Sequence, residues 1–204
     1  MSKKGTLFVI SGASGAGKTS VVHDAIASLK GKMPIERVIT YTTRKPRIGE
    51  EHGRDYVFIC PSEFKQLEER NFFFETTKFN GDIYASPQKI VDRLSKGISQ
   101  VITTDIEGIK NFKKLMPSCV SIWVQADSDE ELEKRLRGRG TEDEETVKNR
   151  IKLAKEHNDQ VKNEGLADHI LVNKTLEQAV LDLEDIFSKY ASTVEVPHEP
   201  ENKE

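Results

Sequence analysis

Between Thr6 and Leu29 the chain reads TLFVISGASGAGKTSVVHDAIASL, and its middle satisfies G-x-x-x-x-G-K-[ST] at every fixed position from Gly12 to Thr19. The flanks constrain the fold as much as the motif does. Leu7-Phe8-Val9-Ile10 is a continuous apolar run, as expected of a strand buried on both faces of a parallel sheet. Val22, Ala25, Ile26 and Leu29 recur at i, i+3, i+4 and i+7, one apolar stripe of a helix. Glycines at 12, 15 and 17 let successive N–H groups turn inward towards phosphate oxygens, and the start of the helix adds partial positive charge. The segment Gly12, Ala13, Ser14, Gly15, Ala16, Gly17, Lys18, Thr19 and Ser20 therefore reads as a triphosphate cradle. Lys18 is the point charge for the outer phosphates, and Thr19 is the hydroxyl ligand for magnesium.

Anion binding has to be local. Thirty-one Lys and Arg against 34 Asp and Glu leave a formal charge of −3, which gives no overall electrostatic case for nucleic acid or for a membrane surface. At 204 residues, one domain with one substantial core is expected. Cys60 and Cys119 are too few and too far apart for a disulfide framework or a zinc motif, which fits a reducing compartment. With neither a signal-peptide h-region nor an apolar run of membrane-spanning length, the expected location is cytoplasmic.

Further along, Arg37–Tyr41 (RVITY) and Tyr56–Ile59 read as strands around a basic Gly/Pro-punctuated loop, and Ser62–Arg70 as a short helix. Phe72–Phe79 and Ile83–Tyr84 read as a hairpin around Asn80-Gly81. From Pro87 helices and strands alternate: helices at 88–96 and 106–115, strands at 100–104 and 121–126. Ser128 with Glu131, and Thr141 with Glu144, look like capping boxes opening two more helices, to about Arg137 and Lys162. A strand at 169–173 and a helix capped by Thr175 follow, the latter with Leu176, Val180, Leu183 and Phe187 as its buried stripe. The tail from 191 is polar and is expected to be disordered. The order predicts a parallel sheet covered by helices on both faces, its core at 5–39 and 87–190, with an antiparallel insert at 40–86 beside it.

The insert and the later arginines carry a resemblance. The chain contains TTRKPRIGE from Thr42 to Glu50, GRDYVF from Gly53 to Phe58, and Glu75 ahead of GDIYAS at Gly81–Ser86. It also contains DIEG at Asp105–Gly108 and RLRGRGT at Arg135–Thr141. In this order, over residues 5 to 190, it closely resembles the guanylate kinases. The resemblance implies an α/β fold of P-loop NTPase type with a small antiparallel β region for the nucleoside monophosphate and a mobile helical lid at about 138–150. It implies ATP:GMP phosphoryl transfer with Mg2+, and dGMP as a slower substrate.

Residue by residue, the resemblance assigns Arg44, Arg47, Tyr56 and Tyr84 to the GMP phosphate. Thr40, Glu75, Ser86 and Asp105 fall to the guanine pocket, and Arg135, Arg139 and Arg150 to ATP and the transferred phosphoryl group. Asn173 falls near the adenine. The implied catalytic set is Lys18, Arg44, Arg135, Arg139 and Arg150. Two positions depart from the family pattern: Thr103 stands where an acidic residue is usual, and Ala85 where glycine is usual.

Elementary chemistry supports the assignment. Guanine offers adjacent N1–H and N2–H donors, which one carboxylate accepts together; adenine has an acceptor at N1 and leaves that carboxylate unpaired. A nucleotide phosphate with a second pKa of about 6 is already mostly ionised at neutral pH, so no general base is required. Three rival readings remain open: a non-catalytic peptide-binding relative, a kinase for another nucleoside monophosphate, and a regulatory GTPase, suggested by Asp105-x-x-Gly108 and Asn173-Lys174.

Overall fold

Strand β1 (Leu7–Gly12) is the axis of a five-stranded sheet in which every pairing is parallel. Its neighbours are β7 (Ser99–Thr103) and β8 (Val120–Ala126), with β2 (Ile35–Arg37) and β9 (His169–Asn173) at the edges, in the order β2-β7-β1-β8-β9. The computed structural model describes residues 4–47, 49–79, 81–138 and 143–191.

The apolar run of β1 alternates between two cores. Phe8 and Ile10 pack with α1 (Lys18–Ser28) and α7 (Leu176–Tyr190), through Val22, Ala25, Leu183 and Phe187. Leu7 and Val9 face the opposite layer, made by α3 (Lys89–Ser95), α4 (Ile106–Leu115) and Val161 of α6 (Glu144–Glu164). Each such side chain, taken fully from water, contributes roughly 1.5–3 kcal/mol. From β1 the chain reaches β2 on one side through α1, whereas β7 is followed by α4 and then β8 on the other. The order reverses at β1, and its carboxyl end opens into the crevice where ligands bind in such sheets.

A second sheet of four short strands lies in the insert: β3 (Tyr41–Thr42), β4 (Val57–Phe58), β5 (Phe73–Phe79) and β6 (Asp82–Pro87), ordered β4-β3-β6-β5. It is antiparallel except at the two-residue β3–β4 edge. Helix α2 (Pro61–Glu69) packs Phe64 on Phe73, ring centroids 5.0 Å apart. Gly81 takes φ +84° at the hairpin turn, as such turns require, while Asn80 lies outside the described residues.

Three expectations are corrected. RVITY is not one strand, because the Val38 amide still donates to Val101 O in the large sheet while Thr40 O already accepts from Val57 N in the small one. The run is divided between two sheets. The long α6 is capped by Asp143, whose carboxylate accepts from the Thr146 amide at 2.8 Å. Thr141, the expected cap, lies outside the described residues. In α7 Leu176 is 39% exposed at the first turn, and Ala179 joins Val180, Leu183 and Phe187 in the buried stripe.

The caps at Ser128, which opens α5 (Asp129–Arg137), and at Thr175 are as read, each accepting from an amide at 3.2 Å and each contributing about 1 kcal/mol. The tail beyond Ala191 is outside the described residues.

Candidate functional site

The glycine loop joins β1 to α1 with geometry that only glycine permits at two points. A Cβ on Gly12 would overlap Val124 O of the adjacent strand. Gly17, at φ +87°, is the N-cap of α1, and a Cβ there would overlap the Asn173 amide. Lys18 Nζ donates to Gly12 O (2.6 Å) and Ala13 O (3.1 Å), so the lysine is folded into the loop whose ligand it is expected to meet.

Two other groups expected at ATP reach the same loop. Asn173, at the end of β9, donates Nδ2 to Ala16 O at 2.8 Å, and its own backbone carbonyl accepts from Arg135 Nη2 at 3.0 Å. Its Oδ1 is buried and has no hydrogen-bond partner among the described residues. Arg135 is steadied from within α5 by Glu131, 3.0 Å away. Arg150, on α6, donates Nη1 to Ser14 Oγ at 2.7 Å. Ser14, Thr19 and Ser20 are exposed, whereas Ala13, Gly15 and Ala16 are buried. Arg139 lies outside the described residues.

Facing the loop is a cleft of about 260 Å³ between the two sheets. Lys18 and Thr19 line it, as do Thr40, Arg47, Tyr56, Glu75, Tyr84, Ser86 and Asp105. Seven of the eight residues expected at GMP thus share a cavity with Lys18 and Thr19, two of the residues expected at the phosphates of ATP. Arg44 is the exception: it stands behind that wall, its Nε donating to the Tyr84 hydroxyl at 3.1 Å and its guanidinium 5.4 Å from the Tyr56 ring centre.

The polar groups are tuned by their neighbours. Burial pushes the Glu75 carboxyl above its usual range and Asp105 adds to that, while hydrogen bonds from Thr77, Asn111 and Ser86 pull it back. Burial likewise raises Tyr56. Burial tends to raise Glu50 too, but the Arg44 guanidinium and the Arg47 amide outweigh it and hold the carboxyl below its usual range. The same contact pushes Arg44 further up.

Asp105 accounts for the spacing that resembles a GTPase motif. Its carboxylate caps α4 by accepting from Gly108 N at 2.7 Å, and a Cβ on Gly108 would overlap the Thr104 side chain. Asp-x-x-Gly is here a helix start that also lines the cleft. Thr103 and Ala85, the two departures from the family pattern, line the cleft as well.

Three residues bearing on the site were not singled out from the sequence. Thr77 was detectable, since alternation along a strand puts it on the face of Glu75. Glu50 sits within a recognised motif but has no pattern that reveals its partner. Asn111 is a polar residue on an amphipathic helix, and nothing in its spacing distinguishes it from a solvated position.

Comparison with known proteins agrees with this architecture. The family model described as guanylate kinase matches residues 4–190. The guanylate kinase of Shewanella violacea is 35% identical over 185 residues, 90% of this chain and 86% of the relative. That of Dechloromonas aromatica is 34% identical over 180 residues (88% and 86%), and that of Fusobacterium nucleatum 34% over 184 (90% and 96%). The crystal structure of guanylate kinase from Anaplasma phagocytophilum superposes with a TM-score of 0.72, covering 95% of this chain and 90% of that one. At 24% identity it speaks for the fold alone. With the family model spanning nearly the whole chain and relatives above 30% identity along most of their own length, this chain belongs to the guanylate kinase family.

Proposed function

We propose that the protein transfers the γ-phosphoryl group of ATP to GMP, and more slowly to dGMP, giving ADP and GDP. One observation carries the reading: Glu75, suited to guanine, opens into the same cleft as Lys18 and Thr19 of the phosphate loop. GMP enters with its base against Glu75, Ser86, Thr40 and Asp105 and its phosphate towards Arg47, Tyr56 and Tyr84, with Arg44 behind the tyrosines. The triphosphate lies along Gly12–Ser20. Arg135, Arg139 and Arg150 neutralise its charge, and Asn173 stands beside the adenine.

Catalysis on this reading is alignment plus charge neutralisation. The GMP dianion is its own nucleophile, and the oxygen that attacks has no proton to lose. Lys18 stabilises charge that develops on the leaving and transferred oxygens. Closure of the 138–150 lid over the 5–39 and 87–190 core excludes water as a competing acceptor, with the 40–86 insert bringing GMP.

Magnesium suits the residues present. Among the described residues no group of three or more His, Cys, Asp or Glu could hold a metal ion. The exposed Thr19 hydroxyl is the protein oxygen that would hold a magnesium ion carried in on ATP. Held there, it would supply positive charge against the outer phosphates. Cys60 and Cys119 are free thiols, in keeping with a cytoplasmic setting. No helix of the described residues is long and apolar enough to cross a membrane.

A coupled assay of ADP formation with GMP, AMP, CMP and UMP tests the reading. GMP is expected to be preferred by several orders of magnitude, since an unpaired buried carboxylate rejects the other bases. Faster turnover with any other base, or no ADP with GMP, overturns it.

A further inference from the structure

Glu75 belongs to the inserted sheet, yet part of its support comes from the other body of the molecule. Asn111 stands on α4, between Ile109 and Phe112, which are fully buried in the core beside the large sheet. Its Nδ2 donates to Thr77 Oγ1 at 3.0 Å and, at a longer 3.4 Å, to Glu75 Oε1. Thr77 Oγ1 donates in turn to the same Oε1, and Ser86 Oγ, opposite Glu75 in the β5–β6 register, approaches Oε2 at 3.4 Å.

The direction of these bonds follows from the groups themselves. An ionised carboxylate only accepts, so the amide of Asn111 must present its NH2 to this side. That NH2 can only donate, so the Thr77 oxygen accepts from it and its own proton is left to point at Glu75. Asn111 to Thr77 to Glu75 is therefore a one-way relay. A carboxylate has about four lone-pair sites, and guanine requires two of them. The Asn111–Glu75 contact, at 3.4 Å the longer of the two that Asn111 makes, is the one that yields to a base. The Asn111–Thr77 bond persists and keeps Oε1 in place.

We infer that Asn111 is a positioning residue for guanine recognition: acting through Thr77, it holds Glu75 so that both carboxylate oxygens face the two donors of the base. Selection of the base is thereby tied to a core helix. This rests on the guanine-reading role of Glu75 proposed above. The relay matters most for the second donor, the 2-amino group, which inosine monophosphate lacks.

The test compares wild type, Asn111→Leu and Thr77→Val, both near-isosteric, and the double variant, in steady-state assays with GMP and with inosine monophosphate. Each single variant is expected to raise KM for GMP about 5- to 10-fold, the worth of one ordinary hydrogen bond, with kcat and KM for ATP within about twofold. The ratio of kcat/KM for GMP to that for inosine monophosphate should fall by a similar factor. The double variant should be no worse than Thr77→Val alone, since both act on one chain of bonds. An unchanged ratio in both single variants, additive losses in the double variant, or an equal loss of kcat and of affinity for both nucleotides overturns the inference. Restored GMP selectivity in Asn111→Gln, which keeps the donor, supports it further. Absence of GMP turnover in the wild type would instead remove the proposed function itself, so the two failures are distinct.

Discussion

Glu50 holds Arg44 end-on, through a bond of 2.9 Å to each of Nη1 and Nη2, in a setting where the two side chains are only 20% and 12% exposed. With the Tyr84 hydroxyl on Nε and Lys45 O also on Nη1, four of the five guanidinium donors are already engaged by protein. On the function proposed above, the GMP phosphate would compete with this carboxylate for the arginine. Glu50→Gln should therefore destabilise the ligand-free protein by about 1–2 kcal/mol, between the values for exposed and buried pairs. GMP should raise the Tm of the variant by more than it raises that of wild type. Thermal shift with and without GMP checks this, and an equal shift in both proteins contradicts it. Because the Glu50 carboxyl sits below its usual value in the folded state, its contribution is complete above the unfolded value near 4.5 and is lost as pH falls through the lower folded value.

Glu75 titrates with the opposite sign. Its folded value is raised, so its ionisation opposes folding: the associated stability is present below the unfolded value and is lost as pH rises through the folded one. Guanine binding needs the ionised form, so kcat/KM for GMP should decline on the acid side at a higher pH than an ordinary glutamate would give. Glu75→Gln should abolish that limb, raise the Tm of the ligand-free protein at pH 7, and weaken guanine discrimination far more than ATP affinity. A pH–rate series paired with calorimetry reads all three. Retained selectivity would remove Glu75 from its proposed place.

Lys18→Met should lower kcat by about 1,000-fold or more, as expected when a charge aimed at the transferring phosphate is lost. GMP, held from the other side of the cleft, should bind with nearly unchanged Kd by titration calorimetry. A parallel loss of GMP affinity would show that the lysine also organises the acceptor half.

Gly17→Ala combines a conformational cost with a collision. At φ +87° an alanine costs about 1 kcal/mol, and its Cβ also drives against the Asn173 side chain that donates to Ala16 O. The expected result is a loss of roughly 2–3 kcal/mol in chemical denaturation, with KM for ATP rising and KM for GMP little changed. Asn173→Ala should reproduce the ATP effect with less loss of stability.

Local signals carried most of the architecture. α4 was readable because Asp105, the apolar spacing and Leu115 all act within one segment, and the helix spans Ile106–Leu115 as expected. RVITY misled because its β-branched and aromatic residues favour strand wherever they lie, and only tertiary pairing decides that Val38 and Thr40 serve different sheets. Asp143, immediately before Glu144, is the cap of α6 where Thr141 was expected, because aspartate and threonine both suit that role. At the site, the phosphate loop and the cleft residues expected at guanine came from motifs, whereas Glu50 and Asn111 act through partners that sequence spacing does not encode.

The handover between the sheets limits how the smaller one can travel. Between Val38, still bonded to Val101, and Thr40, already bonded to Val57, lies a single residue, Ile39. Two virtual bonds of about 3.8 Å cannot stretch, so the smaller sheet can pivot against the larger one but cannot draw away from it at this point. On the function proposed above, an acceptor nucleotide held by the smaller sheet would approach the donor along an arc of fixed radius, set by a covalent leash as much as by any attraction between charges.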